Sequence, residues 1–284
     1  MNILTFDIEE WFHLLEIDST KYPENWDKYP SRIHENLGRI LDFLDEADQK
    51  ATFFCLGWIA HKYPDEIKEI AKRGHEIGSH SYHHRLVYEI GASRFKEDTK
   101  KGIDILENLT GQKVISYRAP RFSITDQCKW AFEILAENGI ERDSSVFPGS
   151  RSLGGFPVFP KHGPSLIKVN GTLIKEFPIS ITTIMGKDLV FSGGGYFRIM
   201  PYPLIRRWTK QSEYIMTYFH PRDFDPGQPV IAGIPLQRRF QSYIGLKTAF
   251  PKFQKWLQDF EFIDLNKADK LVDWGNTPII TISG

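Results

Sequence analysis

Apolar positions in the first half of the chain switch repeatedly between two periods. Residues 2–7, Asn-Ile-Leu-Thr-Phe-Asp, form a short β-prone run ending in a carboxylate, and residues 51–56, Ala-Thr-Phe-Phe-Cys-Leu, form a continuous apolar run of strand length. Between them, Ile33, Leu37, Ile40, Leu41 and Leu44 recur at helical spacing and predict a helix over 33–47. A short helix over 65–73 follows Pro64 and stops at Gly74, and residues 75–78 read as a brief strand. The pattern continues with a helix over 93–109 ended by Gly111, a strand over 114–117, a helix over 126–138 stopped by Gly139, and a strand over 140–143. Residues 11–33 are aromatic and punctuated by proline, which predicts a loop.

Strand and helix therefore alternate from residue 2 to about residue 143, the pattern of parallel strands with helices outside them. The pattern loosens after residue 144. Residues 145–172 hold many Gly, Pro and Ser and predict a long ordered loop or hairpins. Residues 173–179 and 214–219 read as strands, 222–245 as loop and 247–259 as helix. The sequence contains no internal repeat, low-complexity tract or linker, so one domain over 1–284 is expected, with an elaborated region at about 145–245.

Composition narrows the function classes. Apolar residues are 41% and charged residues 25%, ordinary for a globular protein, and Lys+Arg and Asp+Glu balance at 36 each. With no net field to draw in a polyanion, a nucleic-acid partner is not expected. Cys55 and Cys128 lie far apart with no CxxC pair, which excludes a disulfide framework and a cysteine zinc knuckle. The N-terminal residues lack a basic stretch followed by a long apolar one, and no apolar run reaches the ~18 residues a membrane span needs. The expectation is a cytoplasmic protein with no transmembrane segment.

The chemistry-bearing residues fall just after predicted strand ends, at Asp7, His80, Arg118 and Asp143, where parallel α/β folds place their sites. His80 and His84, four apart, present both imidazoles on one side if a helical turn or a tight loop carries them, a common half of a metal site. Asp7 and Glu9 point the same way if extended geometry continues past the first strand, so one can bind a metal and the other take a proton. Glu9, His80 and His84 would leave open coordination positions, the mark of a catalytic site. His83 faces elsewhere if His80 and His84 share a face. A guanidinium at Arg118 near Asp7 would keep that carboxylate ionised and oriented. His220, ending a late strand, could protonate a leaving amine, with Asp143 orienting it through the other ring nitrogen. Gly193-Gly194-Gly195 lacks both the Lys-Ser/Thr of a P-loop and the spacing of a dinucleotide fingerprint, and reads as a loop needing close backbone approach. Trp11, Phe12, Tyr196 and Phe197 lie near these motifs, where aromatic faces can stack on sugar rings or fill the core.

Taken together, these pieces resemble the polysaccharide deacetylase family, the NodB-homology carbohydrate esterases. Thr5-Phe6-Asp7 looks like the start of the first family motif, and residues 74–84, Gly-His-Glu-Ile-Gly-Ser-His-Ser-Tyr-His-His, resemble the second closely. Arg118-Ala119-Pro120 looks like the third, Asp143 like the fourth and Tyr218-Phe219-His220 like the fifth. The resemblance implies an irregular (β/α)7 barrel and a metal-dependent hydrolase that removes an N-acyl, foremost N-acetyl, group from an amino sugar. By the same resemblance Asp7 is the general base, His80 and His84 are metal ligands and His220 is the general acid. Arg118 holds the base and Asp143 the acid. The expected cofactor is a divalent metal, zinc in first place, with cobalt, nickel or iron as alternatives. Ile8 stands where the family usually has a second aspartate, so Glu9 becomes the substitute ligand, with Glu10 as its competitor. Further candidate substrate contacts are Arg121, whose backbone N–H would face the oxyanion in such a reaction, and Tyr196 and Trp11, whose rings could stack on a sugar. A narrower resemblance, carried by Phe-Asp-Ile-Glu-Glu-Trp-Phe and His-Pro-Arg-Asp-Phe-Asp-Pro, is to a branch found with bacterial exopolysaccharide and surface-glycan gene clusters. Alternatives implied alongside are a deformylase or a metal-independent amidase of the same fold, or an inactive glycan-binding protein.

Overall fold

In the computed structural model, which describes residues 1–160, 163–184 and 187–282, the strands are β1 (Asn2–Ile3), β2 (Thr5–Ile8), β3 (Thr52–Cys55), β4 (Glu76–Ser79), β5 (Ser116–Tyr117) and β6 (Arg142–Asp143), followed by β7 (Ser165–Val169), β8 (Thr172–Glu176), β9 (Thr182–Ile184), β10 (Lys187–Leu189), β11 (Ile215–Met216) and β12 (Ile279–Thr281). Eight of them form one sheet in the order β12-β7-β8-β6-β5-β4-β3-β2. All neighbours in it are parallel except β7 and β8. Past β2 the sheet is continued by the segment that follows β11: β11 pairs in parallel with β1, Phe219 bridges Phe6, and Tyr218 bridges Gly193. This largely parallel order fits an irregular (β/α)7 barrel, the architecture that the family resemblance implies and with which the alternation of strand and helix agrees.

Burial explains the strands. Every residue of β2 and β3 is buried, and Phe6 and Phe53, register partners, stack with ring centroids 5.0 Å apart. Phe219 and Phe253 close on the same ring at 6.1 and 5.9 Å. Each such ring withdrawn from water contributes roughly 1.5–3 kcal/mol. The helix Ile33–Glu46 turns Ile33, Leu37, Ile40, Leu41 and Leu44 to this core, the stripe its spacing predicts. β7 and β8 form an antiparallel hairpin closed by Asn170 and Gly171, both at positive φ, as a two-residue turn requires.

Several elements differ from the sequence expectation. The predicted helix over 93–109 is observed from Val87 to Thr110, broken once at Gly91 (φ 73°, ψ 169°). Residues 11–33 contain a short helix at Asp18–Lys21 and a 3-10 turn at Pro23–Lys28. The region 222–245, expected as loop, carries the helix Leu236–Tyr243. Helices Gly57–Lys62, Gly194–Ile199, Tyr202–Gln211 and Leu265–Leu271 are additions to the elements the sequence predicts. Most begin next to proline or glycine, which reads as a breaker although proline suits the first helical turn.

Candidate active site

The rim at the C-terminal ends of the parallel strands brings the candidates together. Asp7 is the penultimate residue of β2, and the backbone turns after Ile8, with Glu9 N–H donating to Asp7 O at 3.1 Å. Both side chains are buried. Arg118, following β5, is completely buried and donates to Asp7 Oδ1 (2.8 Å), Thr5 Oγ1 (2.7 Å) and Ser144 Oγ (2.9 Å), while its guanidinium lies 4.3 Å from the Phe54 ring centroid. With Oδ1 so occupied, Asp7 turns Oδ2 toward His220, whose Nε2 is 3.8 Å away.

His80 follows β4 directly, and His84 comes four residues on. No helix carries them: Ser81 and His84 both take positive φ (65° and 54°), so a tight loop does. Ser81 Oγ accepts from the His84 N–H at 3.1 Å. Asp98, from the helix Val87–Thr110, braces the loop by accepting from Tyr82 N–H (2.8 Å) and pairing with His83 Nδ1 (2.6 Å). His83 thus faces away from the other two histidines, as expected.

The two remaining imidazoles converge on one oxygen. His80 Nε2 is 3.0 Å and His84 Nε2 2.9 Å from Glu9 Oε1. His80 Nδ1 lies 2.7 Å from the Arg118 carbonyl, so it must be the donor there, which leaves the Nε2 lone pair for the site. Two ring nitrogens and a carboxylate oxygen, all lone-pair bearing and buried, require protons or a cation between them. Their atoms lie within 4.8 Å of one another, and the donor set of two imidazoles and one carboxylate fits a divalent metal. Burial alone would raise the Glu9 carboxyl; the charges of His84 and His220 and the hydrogen bonds from both ring nitrogens hold it well below the ordinary range. Glu10 points elsewhere. Its carboxylate accepts from the Ser31 hydroxyl and from the backbone N–H groups of Arg32 (3.0 Å) and Ile33 (3.2 Å), capping the start of the helix Ile33–Glu46.

His220 stands at the open side, with 24% of its side chain exposed, and its Nε2 lies 3.7 Å from Glu9 Oε1. Its Nδ1 meets Asp223 Oδ2 at 3.1 Å, and Asp223 Oδ1 is in turn held by Arg198 at 3.3 Å. Burial opposes protonation of His220, but the neighbouring Glu9, Asp223 and Asp7 carboxylates outweigh it and raise the imidazole above its usual pKa.

Two expectations are corrected here. The carboxylate beside His220 is Asp223 and not Asp143. Asp143 accepts from Ser145 Oγ (2.6 Å) and Ser145 N–H (3.1 Å) and faces Glu176 across a fully buried carboxyl pair. Trp11 is a core residue: it is 3% exposed, its indole N–H donates to Pro30 O at 2.9 Å, and it packs edge-on against Phe12 and Tyr29. It has no face to offer a sugar. Tyr196 is about half exposed, near Tyr218, and Arg121 sits in a strained turn at φ 58° with its guanidinium bonded to Glu16.

His13, for which the sequence predicts no role, also borders the site. This buried ring lies 5.9 Å from that of His84 and packs against both Trp26 and Trp58, which also touch each other. Its Nδ1 accepts from the Glu10 N–H at 3.3 Å, and its Nε2 has no partner among the described residues. Burial and the nearby His84 charge hold it neutral. The only sequence signal was its place directly after the Glu-Glu-Trp-Phe run.

Both halves of the chain are similar to known proteins. Residues 24–140 match the polysaccharide deacetylase family. Residues 144–270 match a domain of unknown function, DUF3473. A peptidoglycan-N-acetylglucosamine deacetylase of Bacillus cereus is 38% identical over 96 residues, 34% of this chain and 35% of that protein. A peptidoglycan deacetylase of Helicobacter pylori is 24% identical over 137 residues, 48% of this chain and 44% of that one. The chain thus spans about a third to under half of the length of these relatives. A Mycobacterium smegmatis structure provisionally described as a polysaccharide deacetylase superposes with a TM-score of 0.69 at 22% identity, covering 99% of this chain and 93% of that one, and shows the shared fold. The two matched regions divide the site. The first holds His80, His84, Arg118 and Arg121; the second holds Tyr196, Arg198, His220 and Asp223; Asp7 and Glu9 precede both.

Proposed function

We propose that this protein is an amide hydrolase that removes an N-acyl group, foremost N-acetyl, from an amino sugar during the making of a surface glycan or polysaccharide. The observation that carries the reading is the convergence of Glu9, His80 and His84 on one point, with Asp7 Oδ2 and His220 Nε2 beside it. Glu9, His80 and His84 would hold a divalent cation, zinc in first place, and when bound it would supply Lewis-acid polarisation of the acyl carbonyl.

The chain's own residues do the proton work. Asp7 is fixed by Arg118 through Oδ1, so Oδ2 takes the proton from the attacking water. As the water oxygen bonds to the acyl carbon, negative charge moves to the carbonyl oxygen, where the Arg121 backbone N–H would stabilise it. His220 then gives its Nε2 proton to the amine nitrogen as the C–N bond breaks, leaving the free amino sugar and a carboxylic acid. Asp223 keeps the ring aimed by holding Nδ1. The raised pKa of His220 suits a residue that must enter the step protonated.

The region 144–270 acts in this reading as half of the catalytic unit, because the strand that delivers His220 pairs with the strand that delivers Asp7. The test is release of product from N-acetylated and N-formylated amino sugars by the zinc-loaded protein. Acetate as the main product supports the reading, formate as the main product makes the enzyme a deformylase, and neither product removes the hydrolase reading.

A further inference from the structure

The chain carries equal numbers of basic and acidic residues, yet one side of the site gathers guanidinium groups. Arg121 follows the Arg118-Ala119-Pro120 turn, and Arg238 lies on the helix Leu236–Tyr243. Both reach the same carboxylate, Glu16, Arg238 at 2.6 Å. Arg151 is the third. Its guanidinium lies 4.5 Å from the Phe147 ring centroid, 5.4 Å from that of Phe122 and 5.5 Å from that of Tyr218, two residues before His220. Arg121 has Arg238, Arg151 and Glu9 among its electrostatic neighbours; burial lowers it from the usual guanidinium range, Glu16 opposes this, and the two arginines add to it. Two of the three cations therefore share the single carboxylate of Glu16, and the third, Arg151, lies close enough to Arg121 to act on its charge.

The placement is built into the backbone. Arg121 and Phe122 both hold positive φ, 58° and 54°, a costly pair of conformations for non-glycine residues and one that collects at functional sites. The loop bearing Arg151 is seated on that turn by Gly154 and Gly155. Gly155 N–H donates to Phe122 O at 2.9 Å, and a Cβ at Gly154 would lie 2.3 Å from Arg121 O. Phe122 consequently has two guanidiniums near its ring, Arg118, which also binds Asp7, at 5.8 Å and Arg151 at 5.4 Å. Arg151 also hydrogen-bonds the Tyr218 side chain, and a guanidinium with five N–H donors keeps others for an oxyanion. Like charges held this close repel, and an anionic ligand group would relieve the repulsion.

We propose that Arg121, Arg151 and Arg238 form a subsite for an anionic group, phosphate or carboxylate, carried by the N-acylated sugar substrate. The proposal rests on the amide-hydrolase reading for the rest of that substrate. Two sources share this chemistry. A phosphate belongs to a sugar still joined to its activating or carrier group, and a carboxylate belongs to an acidic glycan.

The test measures binding and not turnover. The intact protein is titrated calorimetrically at low salt with N-acetylglucosamine, with N-acetylglucosamine 1-phosphate, and with an N-acetylglucosamine–glucuronate disaccharide. At least one anionic sugar is expected to bind ten-fold or more tightly than the neutral one, and the margin should shrink as salt rises. Tighter binding of the phosphate assigns the carrier-linked source, and tighter binding of the uronate assigns the acidic glycan. Arg151→Gln and Arg238→Gln should each cut the margin several-fold, and Arg151→Lys and Arg238→Lys should retain more of it. Equal binding of neutral and anionic sugars, or a margin untouched by both glutamine variants, overturns the subsite. Acetate release is followed separately. Release without the anionic preference removes the subsite alone, and preference without release removes the hydrolase reading alone.

Discussion

His220 and Asp223 are joined twice: Asp223 Oδ2 lies 3.1 Å from the ring Nδ1 of His220 and accepts a 3.0 Å bond from the backbone N–H of the same residue. The 3-10 turn Pro221–Phe224 brings the carboxylate back under the ring it follows. Asp223→Asn removes the charge that keeps Nδ1 a donor and frees the ring to turn. The expected loss in kcat is about 10–10³-fold, part of what a general acid contributes. Asp143→Asn should leave kcat much closer to wild type. Equal kcat losses for the two variants would return the orienting role to Asp143.

Glu9 and Glu10 are neighbours with separate work, and substitution should split the two roles. Glu9→Gln should weaken metal affinity strongly, since it replaces the oxygen on which both imidazoles converge. Glu10→Gln should leave metal affinity intact and lower stability by about 0.5–2 kcal/mol, the usual cost of a lost helix cap. Zinc titration against a competing chelator reads the first, and urea unfolding reads the second. Metal loss in Glu10→Gln would mean that the ligand had been assigned to the wrong glutamate.

The buried pair Asp143 and Glu176 should write itself into the pH dependence of stability. Burial raises the Glu176 carboxyl well above its ordinary pKa, the facing Asp143 charge adds to this, and burial raises Asp143 as well. Glu176 Oε2 has no donor among the described residues, so a proton shared between the carboxyls satisfies both. The folded chain thus binds that proton more tightly than the unfolded chain. Its contribution is fully present below the ordinary carboxyl value of ~4.3 and is lost as pH rises through the raised folded value. Glu176→Gln replaces the shared proton with a permanent amide donor. Unfolding between about pH 5 and about pH 9 should show wild type losing stability relative to this variant. Parallel curves would place the titrating proton elsewhere.

The first half of the fold was readable because each strand and helix there announces itself locally. Residues Phe53 to Cys55 are apolar throughout, and Ile33 to Leu44 keep one period. Asp7, Glu9, His80, His84, Arg118 and His220 could be grouped because parallel strands deliver their C-terminal residues to one rim. Partner choice among carboxylates was not readable. Asp143 and Asp223 both lie near strand ends in the sequence, and only the turn after His220 decides between them. Trp11 failed for a related reason. Proximity to a motif along the chain does not say which face of the backbone an indole takes, and here the hydrogen bond to Pro30 turns it inward. The later helices begin beside residues that punctuate loops as readily as they start helices.

Asp7 is expected to work without holding the metal. Asp7→Asn keeps the shape and the bond from Arg118 but cannot accept the proton of water. Activity should fall by about 10²–10⁴-fold with metal affinity near wild type. Loss of metal from this variant would make Asp7 a ligand and require another base.

The most direct measurement of the central claim is a stoichiometric one. The protein is stripped with a chelator and then titrated with zinc, while bound metal and acetate release from an N-acetylated amino sugar are followed in the same samples. The account predicts no release from stripped protein, a rise that saturates at one equivalent, and neither binding nor release in a His80→Ala, His84→Ala double variant that remains folded. Full hydrolysis by the stripped protein, or unchanged metal binding in the double variant, would contradict it.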